Sequence, residues 1–115
     1  MKKKSSLKAV KKAGVKRGKA VTLSTRNARI TQNLGNGFER FVFQPFTVLP
    51  GRFLTITLSS GTLRSVISAG WSISGLLPAY ATDSFPARTN QWIIVIHNPT
   101  VFTRTVTPYL ITKFT

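Results

Sequence analysis

At 115 residues and 12.7 kDa the chain has room for one domain, and its 17 Lys and Arg stand against two carboxylates, a formal charge of +15. Glu39 and Asp83 are the whole acidic inventory, His97 is the one imidazole, and there is no cysteine, so paired-carboxylate hydrolysis, a Ser-His-Asp site and a zinc cage each lack the side chains they require. The sequence therefore reads as a non-enzyme without a metal site or cofactor, and disulfides are excluded.

The cations come first in the chain. Lys2, Lys3, Lys4, Lys8, Lys11, Lys12, Lys16, Arg17 and Lys19 fall within twenty residues that hold no carboxylate, and Arg26 and Arg29 raise the run to eleven. A secretory signal would need an apolar stretch of about 7–15 residues, whereas lysines separate Leu7, Val10 and Val15. A mitochondrial presequence would be Arg- and Ser-rich and helical, and this segment is mostly Lys with Gly14 and Gly18 breaking any helix. With few apolar groups to bury and like charges in mutual repulsion, residues 1–29 are expected to form a largely disordered arm. A short helix over Ser6 to Ala13 would follow neutralisation by an anion. Twenty extended residues reach about 65–70 Å, enough to follow a polyanion away from the body. All eleven cations are candidate phosphate contacts, because each one releases condensed counterions from a nucleic acid whatever its sequence.

From Val21 the composition turns to Thr, Val, Ile and Phe with a period of two, so a first strand can begin near residue 21 although the body proper is expected over 30–115. Strands are predicted over Val21 to Thr25, Ala28 to Gln32 and Arg40 to Val48, with Gly35-Asn36-Gly37 as a turn. Leu54, Ile56 and Leu58 alternate with Thr55 and Thr57 in a half-buried strand ended by Ser59-Ser60-Gly61. Leu63 to Ser74 follows as another. Trp92 to His97 reads as a strand buried on both faces, His97-Asn98-Pro99-Thr100 as its turn, and Gln91 to Thr107 as an antiparallel hairpin. The last strand, Val101 to Lys113, is expected to be divided by Pro108. Six prolines are placed at loops or sheet edges. Six or seven short strands with no helical periodicity make the body all-β, a compact antiparallel β-sandwich or barrel whose core uses Leu54, Ile56, Leu58, Trp92, Ile94 and Ile96.

Only eight of the 86 residues from Ile30 onward are charged, far below the roughly 25–35% of an ordinary soluble surface. Such a body is expected to be covered by copies of itself or by another protein. Its longest uncharged run, Ser65 to Thr82, contains Gly70, Gly75 and Pro78 and makes a poor membrane span. Most of the twelve aromatic residues are expected in the core, with Phe41 and Phe43 on one strand face, while base stacking by one of them is the alternative. His97, beside a turn, is expected to be a solvated or capping side chain.

A Lys/Arg-rich arm, Lys2 to Arg29, followed by a Thr-rich, charge-poor body of short strands ending in Trp92 to Thr115, resembles the small coat and internal structural proteins of simple icosahedral viruses and phages. The resemblance implies a jelly-roll-like body forming or lining a shell, and an inward arm that neutralises packaged genome. It further implies copies of the same chain or a larger capsid protein as partners, no membrane, and residence in the virion after assembly in host cytoplasm or nucleus. The alternative is a cellular single-strand nucleic-acid-binding or ribosomal-type β-barrel module, which would concentrate cations and aromatics on one face of the body.

Overall fold

The structure is a computed structural model that describes residues 18–75 and 79–114. Nine strands follow in chain order: β1 (Gly18–Ser24), β2 (Ile30–Gly35), β3 (Phe38–Val42), β4 (Phe46–Val48), β5 (Phe53–Ser59), β6 (Arg64–Ile73), β7 (Tyr80–Arg88), β8 (Gln91–His97) and β9 (Arg104–Phe114). They form two sheets. Sheet A has the order β1-β5-β8-β7; in sheet B, β3 and β4 lie end to end along one edge of β9, β6 runs along its other edge, and β2 is outermost beside β3. The expected all-β sandwich of packed, mainly antiparallel sheets is the fold found. One pairing departs from it, since β1 joins β5 in parallel. The connection between them passes through the whole β2–β4 part of sheet B, long enough for a parallel return.

Period two explains the packing. In β5, Leu54, Ile56 and Leu58 are fully buried while Thr55 and Thr57 point outward; in β8, Ile94 and Ile96 are buried opposite Ile56 and Leu54. Sheet B answers with Phe41 and Phe43, Val48, Val106 and Leu110, and Trp71 and Trp92 pack against this cluster half-buried. Each fully buried Leu or Ile contributes about 1.5–3 kcal/mol, so this inner layer dominates stability. The Gly35-Asn36-Gly37 turn is also as expected: Asn36 at φ 55 and Gly37 at φ 87 supply the two positive torsions that a tight hairpin between β2 and β3 needs.

Several expectations need correction. Within the described residues β1 already runs from Gly18, ahead of the first strand expected near residue 21, so Lys19, Arg26 and Arg29 lie in or beside paired strands. Gln91 to Thr107 is not a hairpin: β8 pairs with β5 and β7, β9 with β3, β4 and β6, and residues 98–103 carry the chain from one sheet to the other. Both strands had the composition of central strands, and a local turn signal does not reveal which sheet the next strand enters. Pro108 does not divide β9. Its carbonyl accepts the Phe43 N–H at 3.0 Å, and the N–H that proline lacks would face the gap between β3 and β4, where no ladder partner is required. Ile93 and Val95 are half-buried on the outer face of sheet A, so β8 is covered fully on one side alone. β7 was not foreseen, because it has no apolar alternation and every residue is exposed.

Candidate nucleic-acid interface at the root of the arm

Of the eleven candidate cations, Lys2, Lys3, Lys4, Lys8, Lys11, Lys12, Lys16 and Arg17 lie outside the described residues, as does the expected helix over Ser6 to Ala13. The other three are all exposed, but the fold does not gather them. Lys19 stands at the start of β1, Arg26 in the 3-10 turn Thr25–Asn27 at its far end, and Arg29 just before β2. At about 3.3 Å per residue, β1 holds Lys19 and Arg26 roughly 15–20 Å apart.

Gly18 is where the basic segment is tethered. Its φ of +83° lies in the left-handed region, and a Cβ there would sit 2.9 Å from the Phe53 carbonyl oxygen, so glycine alone lets the chain enter the sheet at this point. Beside it Lys19 and Arg52 share a hollow of about 230 Å³ walled by Val48, Leu49 and Phe53. The register then aligns Gly18 with Phe53, Phe53 with His97 and His97 with Tyr80, a row that crosses all four strands of sheet A on its outer face. The Phe53 and His97 ring centroids are 4.5 Å apart with planes tilted by 31°; those of Tyr80 and His97 are 5.6 Å apart at 53°. Tyr80 Oη and His97 Nδ1 lie 3.3 Å apart. His97, half-exposed beside its turn, is therefore also a member of an aromatic cluster, a role its place in the sequence did not indicate.

Sequence reasoning also missed Asn98, which is fully buried and fixes this end of the sandwich. Its side-chain amide donates to the carbonyls of Val48 at 3.0 Å and Phe102 at 2.8 Å, and its Oδ1 accepts from the Thr100 N–H and hydroxyl. Its backbone N–H donates to the Arg52 carbonyl, and its own carbonyl accepts the Gly51 N–H. One residue, through its side chain and its backbone together, thus holds the loop before β5 against the loop before β9, and with it the backbone of Arg52. Turn composition was the one signal available, and it indicated a local role.

Most cations of the body proper are engaged internally. Arg64 Nε donates to Glu39 Oε1 at 2.7 Å and the guanidinium also stands 5.4 Å from the Phe41 and Phe114 ring centroids. Arg40 donates to Gln32, Lys113 lies over the Phe38 ring, and Arg104, 3% exposed, donates from Nε and Nη2 to the Ser74 carbonyl at 3.0 and 2.8 Å. Arg88 and Arg64 border a wider hollow of about 650 Å³ at the opposite end of the sandwich, but the Glu39 carboxylate offsets the charge of Arg64. Among the described residues, Lys19 and Arg52 stand exposed at the root of the arm, while Arg26, Arg29 and Arg88 are exposed elsewhere on the sandwich.

The chain belongs to the YjdH family, whose model matches residues 19–112, from the second residue of β1 to near the end of β9. No curated protein and no solved structure matches it.

Proposed function

We propose that this chain is a virion structural protein, a capsid or capsid-associated component that assembles through its β-body and neutralises packaged nucleic acid with its basic N-terminal segment. The observation that carries the reading is charge segregation. Eleven cations precede Ile30 without one carboxylate, whereas Arg40, Arg64, Arg104 and Lys113 in the body are engaged with its own groups. Phosphate neutralisation thus falls to the N-terminal segment, through contacts indifferent to base sequence. Assembly is supported by the edges: β2 and β7 are exposed at every position, and unpaired sheet edges are templates for association. Leu49, Val101 and Phe102 add exposed apolar surface on the loops at the arm-bearing end.

The aromatic row on sheet A favours a second reading, a cellular single-strand-binding module in which the same surface acts without a shell. Sedimentation of the full-length protein with and without a polyanion separates the two. A virion component forms a large symmetric particle, or docks on a larger protein, once the polymer or added salt screens arm repulsion. A protein that stays monomeric at high micromolar concentration with nucleic acid bound is the cellular module instead.

A further inference from the structure

We propose that the outer face of sheet A beside the arm is a base-stacking platform for single-stranded nucleic acid, with Tyr80, His97 and Phe53 as its rings and Lys19 and Arg52, at the end of the sandwich, as phosphate contacts on the way to it. The proposal rests on the nucleic-acid-binding part of the function above and adds to it a preference for unpaired strands.

Three observations converge on it. First, aromatic side chains on an outer sheet face bury little within the molecule: Tyr80 is 50% exposed, and Phe53 and His97 are half-exposed. Core packing does not account for three rings on the solvent side of adjacent strands. Second, they form one row. Strand spacing places Gly18 and Tyr80 about 14 Å apart, and sheets that bind single strands stack two or three bases on rings set across neighbouring strands. Third, the row ends at Gly18, the attachment point of eight further cations, and Lys19 and Arg52 line the hollow at the end of the sandwich next to it, Lys19 in register with inward-facing Leu54. A strand drawn in by the arm therefore passes the cations at the end of the sandwich and then the ring faces on sheet A. Asp83, on the same face of β7 and opposite Val95, repels phosphate and closes the path along β7. The strand is thereby directed across the row, toward Gly18.

Stacking needs an unpaired base, whereas the arm does not discriminate. The platform consequently gives full-length protein a higher affinity for oligo-dT of about twenty nucleotides than for a duplex of equal phosphate number, measured by anisotropy at fixed salt. Tyr80→Ala and His97→Ala each weaken oligo-dT binding about tenfold and leave duplex binding unchanged, and Tyr80→Ala, which removes a ring and no charge, leaves the salt slope unchanged. Tyr80→Phe retains wild-type affinity. Photo-crosslinking of bromodeoxyuridine-substituted strand to wild-type protein, mapped by mass spectrometry, places crosslinks at Phe53, Tyr80 or His97 and is independent of variant folding. If oligo-dT binds wild type but crosslinks solely before Gly18 and all variants bind alike, the platform is overturned while the proposed function stands. Equal losses for duplex and single strand also overturn it. A wild-type protein that binds neither polymer overturns both.

Discussion

Two inward-facing residues of β9 show how burial decides the value of a polar group. Thr112 is fully buried and its Oγ1 has no hydrogen-bond partner among the described residues. An unsatisfied buried hydroxyl costs about 1–3 kcal/mol, so Thr112→Val, which keeps the shape and removes the polar atom, should raise stability by about 1 kcal/mol in urea denaturation. Arg104 is the opposite case. Its guanidinium fixes the chain beyond β6 through the Ser74 carbonyl, and Thr105 N–H donates to Ser74 Oγ at 2.9 Å in the same place. Arg104→Met retains the aliphatic stem but strips that carbonyl of its donor, and should cost about 2 kcal/mol by the same measurement. A destabilising Thr112→Val or a neutral Arg104→Met would contradict this account of the interior.

Elements differ in how far the sequence alone defines them. β5 was legible because Leu54, Ile56 and Leu58 alternate with threonines and nothing else competes for the inner face. The same signal supports a direct test: Ile94→Asp puts a carboxylate between two sheets without a partner and should unfold the body, while Thr105→Asp on the outer face of β9 should change its melting far less, both followed by circular dichroism. β7 was not legible, since an edge strand exposed at every position carries no periodicity; it is held by pairing to β8 and by the Trp92 indole N–H donating to Ser84 Oγ at 3.0 Å. Sheet membership was equally hidden. Nothing local distinguishes a turn that pairs β8 with β9 from one that, pinned by Asn98, passes β9 to the other sheet. The aromatic row escaped notice for the same reason: Phe53, Tyr80 and His97 are far apart in the chain and become neighbours through register alone.

At the scale of the molecule, the eleven cations were readable as a group from the sequence, but where the arm ends and the body starts was not. The run of cations extends to Arg29 while strand composition already begins at Val21, and backbone pairing with β5 captures Gly18 to Ser24, including Lys19, because β5 offers a free edge. Under the proposed function, charge neutralisation and assembly are divided between two parts of one chain. Substituting aspartate for Phe102, which is 59% exposed on a loop, should leave the fold intact and lower the sedimenting mass of the assembly.

The division of labour itself is tested most directly by the salt dependence of single-strand binding, compared between the full chain and a body running from Gly18 to Thr115. If the eight cations before Gly18 and Lys19 and Arg52 contact phosphate, the full chain should give a log–log slope near −7, from roughly −0.7 per contact, and the body, left with Lys19 and Arg52, a slope of about −1.4 and a much lower affinity. A folded body that kept the affinity and the slope of the full chain would place the phosphate contacts on the sandwich and contradict the account.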